Sequence, residues 1–313
     1  MKNNKKVIGI FGGSSFLARY TVEKLCKEGY RLKIGTRKPW LVNNLKTLGT
    51  PGQLELMPVN IFNPNDVKKI LKNCDYCINF CGQLFEGKIS FDQLHTKWPE
   101  ILSQISHENK IKKLIHISAL NKQESNPSKY MQSKMKGEEK IKKNMENYFI
   151  LRPSLIFGNG DDKFFNTFGT MAEISPIIPL PGGGKTIFNP VHASDCAEAI
   201  VKILDLGSPK KRIFEIAGSK NYTFKHLIEI FLKEIKKKKF LISIPFGLIK
   251  AQSYFLQYFP QPFKITPDQI ILLQHNSILS GKFPTLKDLN IKAKDLESVF
   301  KFWKRWRVGG EFG

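Results

Sequence analysis

The chain has 313 residues, 41% hydrophobic and 12% aromatic, which suits one large globular domain or a main domain with a smaller lobe. Lysine and arginine total 50 against 27 acids, a formal net charge of +23. No run of eighteen uncharged apolar residues exists, so no membrane-spanning helix is expected, and no nucleic-acid motif accompanies the charge. The excess suits an anionic membrane surface or an acidic protein, or it is a generally basic solvated surface. Five cysteines, an odd number, without a secretory signal point to a reducing compartment.

The opening MKNNKKVIGIFGG imitates a signal peptide, but the glycine–serine break and the helix pattern after it argue for a first strand. Residues 7–11 form the apolar run. Gly12 and Gly13 then turn the chain, and Phe16, Leu17, Tyr20, Val22, Leu25 and Cys26 recur at helical spacing. Such a turn aims the first N–H groups of a helix at one point and makes a diphosphate site. Gly12, Ser15 and Ala18 occupy the three small positions this requires. The backbone of Gly12, Gly13, Ser14, Ser15, Phe16 and Leu17 is therefore the expected diphosphate cradle.

Residues 31–35 make a second strand, ending in Thr36, Arg37 and Lys38. No acid stands there to bond a ribose hydroxyl. An arginine suits a 2′-phosphate instead, which favours NADP(H) over NAD(H); a basic surface turn is the other reading of Arg37. Residues 54–60 and 76–81 are expected as further strands, with a short helix between them from Asp66. Asn60, Asn79, Cys81 and Gly82 fall near their C-terminal ends, where an open parallel sheet binds ligands. Cys74, Cys77 and Cys81 imitate metal-ligand spacing, but on a strand they alternate faces and do not converge, so no metal site is expected.

A helix around His95 precedes a fifth strand at 113–118. Tyr130 and Lys134 then lie four apart on one helix face. An ammonium there favours the phenolate, and Ser118 at the strand end can orient a carbonyl, giving a Ser118–Tyr130–Lys134 set for hydride transfer. Residues 148–157 read as a sixth strand, interrupted at Arg152-Pro153, and Pro153 joins the cofactor-binding set with Tyr130 and Lys134. Residues 160–181 look irregular, as a substrate lobe or lid would. PGGGKT, at 181–186, lacks the glycine that starts a P-loop and precedes an extended segment, so no ATP site is expected.

Ser194 or Asp195 can cap a helix over 196–204, a strand follows at 212–217, and Thr223 caps another helix. From Phe246 an amphipathic helix carries Ile249, Tyr254, Phe255, Tyr258 and Phe259, either as a core helix or as a surface for lipid or a partner. The terminal FKFWKRWRVGG interleaves aromatics with cations, which suits a membrane interface, a docking tail or packing on its own domain. The pattern is α/β: a doubly wound parallel-sheet, Rossmann-like domain at 1–158, completed by about 186–217. Residues 159–185 and 218–313 form a smaller substrate or partner lobe.

The segments IFGGSSFLARY, HISAL, SKYMQSKMKGEE, ILRPSLIFGNGD, GGGKTIFNPVHASDCAEAI, YTFKHLIEI, ITPDQIILLQHN and WRVGG carry a resemblance over nearly the whole chain. Together they resemble an atypical short-chain dehydrogenase/reductase family, that of the nucleotide-binding accessory subunit of respiratory complex I and its bacterial relatives. ITPDQIILLQHN is the most specific, since generic sugar epimerases do not share it. The resemblance implies an extended, atypical member of the superfamily that holds NADPH tightly, without an established turnover. It implies docking near the quinone-entry region of complex I, hence a cytoplasmic location on the inner face of the cytoplasmic membrane. It maps the glycine turn onto Gly12, Ser15 and Ala18, the phosphate-selecting arginine onto Arg37, and the superfamily's active-site pair onto Tyr130 and Lys134. Ser15 stands where the family usually has glycine. A free NADP-dependent oxidoreductase or epimerase acting on a small or lipid-like substrate is the alternative.

Overall fold

A computed structural model describes residues 6–120, 126–160, 163–207, 211–260 and 262–300. The first half alternates β1 (Val7–Phe11), α1 (Phe16–Lys27), β2 (Arg31–Thr36), β3 (Leu54–Pro58), α2 (Pro64–Leu71), β4 (Tyr76–Asn79), α3 (Trp98–Glu108), β5 (Lys113–Ile117), α4 (Lys129–Asn144) and β6 (Tyr148–Pro153). There follow β7 (Ile156–Phe157), α5 (Lys163–Ile174), β8 (Ile177–Pro181), β9 (Ile187–Phe188), β10 (Val191–His192), α6 (Ala193–Asp205) and β11 (Ile213–Ile216). The last elements are β12 (Tyr222–Thr223), α7 (Phe224–Glu234), β13 (Phe240–Ile244), α8 (Phe246–Leu256), α9 (Pro267–Leu273) and α10 (Leu296–Phe300).

Seven strands pair in the order β11-β6-β5-β4-β1-β2-β3, and every ladder in this sheet is parallel. The order reverses between β1 and β4, which opens a crevice at their C-terminal ends. The central strands are apolar nearly throughout because both faces are covered. One core lies under α1 and α6 and holds Ile8, Ile10, Ile78, Ile115 and Ile200. The other lies under α2, α3 and α4 and holds Phe11, Val67, Trp98, Leu102 and Ile141. A third core is aromatic, with Phe157, Phe165, Phe224, Phe231 and Phe300 buried together. The parallel pair β8 with β13 stands apart from the main sheet.

Several elements differ from the sequence reading. β3, β4 and β5 stop earlier than the sequence reading has them, at Pro58, Asn79 and Ile117. The sixth strand divides: β6 stays in the main sheet, while β7 leaves after Pro153 to pair with β10. Residues 163–181 are not irregular. Phe165, Phe168 and Ala172 recur at helical spacing in α5, and β8 follows. Neither Ser194 nor Asp195 caps α6, since the helix begins at Ala193, three residues before its expected start. His192 is the N-cap, and its Nδ1 accepts from the Ser194 N–H at 3.2 Å.

The helix expected from Phe246 ends at Leu256, and its aromatics do not pack inward. Ile249 and Ser253 are buried, but Tyr254, Phe255, Tyr258 and Phe259 are exposed, Phe255 by 77% and Tyr258 by 84%. Among the described residues no helix is long and apolar enough to cross a membrane. Most of the aromatic–basic tail, residues 301–313, lies outside the described residues.

Candidate functional site

The crevice is built where β1 and β4 end. Gly12 has φ +78°, a left-handed conformation natural to glycine. A Cβ there would stand 2.8 Å from the Cys81 nitrogen and 2.9 Å from the Phe80 carbonyl carbon. Glycine thus lets the two strand ends close on each other. Asn79 fixes the opposite wall: its Oδ1 accepts from the Cys81 N–H and from Trp98 Nε1–H, both at 3.0 Å. Its amide also meets His116 Nδ1 at 3.0 Å.

Ser15 is the N-cap of α1, its Oγ accepting from the Ala18 N–H at 3.3 Å. The hydroxyl proton is not used by that bond and can still reach a ligand. The N–H groups of Phe16 and Leu17 lie in the first turn, where a helix offers no internal acceptor, so they point out of the helix end. Leu17 buries its side chain in the core. Phe16 instead packs edge-on to Tyr20, its ring centroid 5.3 Å away. Gly13 is buried and Ser14 exposed in the same turn. These features fit a diphosphate lying across the α1 N-terminus.

The other expected cofactor residues lie along the same edge of the sheet. Arg37 is exposed immediately after β2. Asn60 follows β3 by two residues, and its Oδ1 is committed to a turn by accepting from the Phe62 N–H at 3.1 Å. Gly82 follows Cys81, and a Cβ on it would lie 3.1 Å from Lys134 Nζ. Pro153 ends β6 buried, its carbonyl accepting from the Leu120 N–H at 2.8 Å. Burial pushes the Cys81 thiol up to about 12, so it lines the crevice as a neutral group.

Tyr130 and Lys134 share α4 but do not act on each other as expected. Lys134 Nζ donates to the Ile117 carbonyl at 3.1 Å, at the end of β5. Burial pushes its pKa down to about 8. Burial pushes the Tyr130 phenol up to about 12, the reverse of the expected phenolate. The reason is packing: the ring sits edge-on to Phe91 and His95, at 5.8 and 5.4 Å, with Leu272 of α9 against the same cluster. Ser118 Oγ is buried with no hydrogen-bond partner among the described residues. Ser118 and Lys134 line one cavity of about 500 Å³ with Ala119, Met131, Arg152 and Phe283.

Sequence reasoning missed His95 and Asp268. His95 sits in a stretch of π-helix, Asp92–Lys97. Its Nε2 accepts from the Gln83 N–H at 3.1 Å, which leaves the proton on Nδ1, donated to Ser133 Oγ at 2.9 Å. Ser133 Oγ–H donates in turn to the Tyr130 carbonyl at 2.7 Å. Burial and the Lys134 ammonium push the His95 pKa down to about 2, so the imidazole is neutral. A lone histidine in a helical stretch carries no such signal in the sequence. Among the described residues, no group of three or more His, Cys, Asp or Glu is gathered for a metal.

The model of the NAD dependent epimerase/dehydratase family matches residues 8–217. The chain is 27% identical over 317 aligned residues to the mitochondrial NADH dehydrogenase (ubiquinone) 1 alpha subcomplex subunit 9 of Arabidopsis thaliana, covering 97% of this chain and 79% of that one. A nucleoside-diphosphate-sugar epimerase of Staphylococcus aureus shares the fold with a TM-score of 0.74 at 14% identity, over 94% of this chain and 99% of that one. UDP-glucose 4-epimerase of Bifidobacterium longum, solved with NAD+ and UDP, has a TM-score of 0.71 at 14% identity, over 94% and 96%.

Proposed function

The chain belongs to the NAD dependent epimerase/dehydratase family, and from that premise we propose that it is a dinucleotide-holding accessory subunit of a membrane-bound NADH:quinone oxidoreductase. The carrying observation is the extent of the likeness. The family model stops at residue 217, whereas similarity to the mitochondrial subunit covers 97% of the chain and so takes in the smaller lobe. In this reading the α1 N-terminus holds the diphosphate, and Arg37 meets a 2′-phosphate, selecting NADP(H). Lys134 and Tyr130 face the nicotinamide ribose. The exposed face of α8, beside Lys250 and the 236–239 lysine run, rests on an anionic membrane surface or on the complex. The protein then sits on the inner face of the cytoplasmic membrane. Tyr130, covered by Leu272 and protonated up to about pH 12, supports holding rather than turnover.

A second reading is favoured by one observation: Ser118 Oγ is buried, without a partner among the described residues, on the wall of a cavity shared with Lys134. It is a free NADP-dependent oxidoreductase or epimerase acting on a small or lipid-like carbonyl or alcohol. The bound dinucleotide supplies the hydride chemistry. Tyr130 gives its proton to the substrate oxygen, Ser118 donates a hydrogen bond to the same oxygen, and Lys134 steadies the ribose.

Native purification of the tagged protein from its own cells in mild detergent separates the two. Co-migration with the oxidoreductase, dinucleotide in place, supports the first reading. Migration alone, with turnover that Tyr130→Phe abolishes, replaces it with the second.

A further inference from the structure

The segment 265–276 reaches from the smaller lobe onto the helix that carries Tyr130 and Lys134. Thr266 and Gln269 cap α9 by themselves: the Thr266 N–H donates to Gln269 Oε1 at 2.9 Å, and the Gln269 N–H donates to Thr266 Oγ1 at 3.3 Å. That leaves the Asp268 carboxylate free to serve another helix. It accepts from the Lys129 N–H at 2.6 Å, the Tyr130 N–H at 3.1 Å and the Ser128 hydroxyl at 2.9 Å. All three donors belong to the cap and first turn of α4, where orphan N–H groups and the helix dipole favour an anion. Four residues on, Leu272 packs against the Phe91–Tyr130–Met131 cluster. One short helix thus holds the Tyr130 backbone and covers its ring.

We propose that Asp268 is a positioning residue: a clasp by which the seating of the smaller lobe sets the first turn of α4. The grip of Tyr130 and Lys134 on the nicotinamide half follows from that setting. The proposal rests on the dinucleotide-holding reading above. It also gives the lobe a regulatory role. α9 packs on α8, whose outer face carries the exposed aromatics, so a partner loading that face bears on the clasp. Linkage makes the effect reciprocal, with dinucleotide strengthening the docking that strengthens its own retention.

The clasp acts on one half of the ligand only. The adenosine half meets the α1 turn and Arg37, which Asp268 does not touch. Calorimetric titration of the full-length protein with NADPH and NADH identifies the dinucleotide the wild type takes. That dinucleotide and its matching half, 2′,5′-ADP or ADP, are then titrated into Asp268→Ala, Asp268→Asn and Leu272→Ala. Asp268→Ala is expected to weaken the whole dinucleotide on the order of tenfold, within the usual range of such couplings, and to leave the half-ligand unchanged. Asp268→Asn, which keeps an acceptor but not the charge, falls between. Where Asp268→Ala does not fold, the other two variants carry the comparison. Equal weakening of whole and half, or no weakening of either, overturns the clasp while leaving the holding reading intact. A wild type that binds neither dinucleotide overturns both.

Discussion

Lys134 Nζ donates to the carbonyl oxygen of Ile117 at 3.1 Å, so the ammonium is tied to the end of β5 and not to Tyr130, one turn earlier on its own helix. A buried ammonium held by a neutral carbonyl is poorly compensated, and its pKa falls from 10.5 to about 8. The sign of the consequence is fixed. Below pH 8 folded and unfolded chains both hold the proton, and the fold bears the burial cost. Between about 8 and 10.5 the folded chain has lost the proton and the unfolded chain keeps it, so this group's contribution to stability rises with pH.

The shift corresponds to about 3 kcal/mol at most. Lys134→Met should therefore gain most over the wild type near pH 7. The gain should shrink through pH 8 to 10.5, beside a constant offset from the lost bond to Ile117. Denaturant unfolding of both proteins without nucleotide, from pH 7 to 10, checks this. A difference flat in pH would show that Lys134 does not titrate in this window.

Gly12 and Gly52 share the same φ, +78°, but not the same surroundings. A Cβ at Gly52 meets no atom of the described residues within 4 Å, whereas one at Gly12 meets two backbone atoms inside 3 Å that cannot rotate away. Gly52→Ala should cost about 1 kcal/mol, the strain of a left-handed alanine. Gly12→Ala should cost at least about 2 kcal/mol more than that, by forcing β1 from β4. It should also lose the rise in melting temperature that dinucleotide confers on the wild type. Thermal melts of the two variants, with and without NADPH, measure both effects. Equal melting temperatures would mean that the strand ends yield.

The β1–α1 turn and the order of the seven strands along the chain were legible because apolar runs, glycines and helical spacing are local signals. The position of Ser118, Tyr130 and Lys134 beyond and beside β5 followed from the same order. Their electrostatics did not. Tyr130 is buried by Phe91, 39 positions before it, and by Leu272, 142 positions after it, and no local pattern reports such burial. The Glu138–Arg152 pair, bidentate at 2.9 and 2.6 Å, likewise binds α4 to β6 through residues 14 apart that the sequence shows only as ordinary charges. α5 was a different failure. Its helical spacing was present but masked by the density of phenylalanine and proline around it.

Arg37 stands exposed at the end of β2 with no acid beside it in the sequence. If it meets a 2′-phosphate, Arg37→Ala removes a charge-assisted bond of about 1.5–3 kcal/mol. NADPH affinity should then fall about 10- to 100-fold, with NADH affinity unchanged, as read by paired titrations of wild type and variant. A parallel loss for both dinucleotides would remove the arginine from the discrimination and leave it a surface turn residue.

The two most exposed large apolar side chains described lie at the end of α8 and in the turn after it. Phe255 and Tyr258 are 77% and 84% exposed, with Tyr254, Leu248 and Phe259 around them and Phe240 of β13 at 74%. Because these side chains contribute almost nothing to the core, replacing them should not disturb folding. On a membrane each large aromatic contributes up to about 1.5–3 kcal/mol if fully buried. Neighbouring lysines add attraction that salt screens. Phe255→Ser with Tyr258→Ser should therefore lower partitioning onto vesicles of anionic phospholipid at least about tenfold, with an unchanged melting temperature. Raising ionic strength should weaken the wild type on the same vesicles and have little effect on neutral ones. Sedimentation with vesicles of both compositions measures this directly. If wild type and double variant sediment alike, the face does not meet lipid.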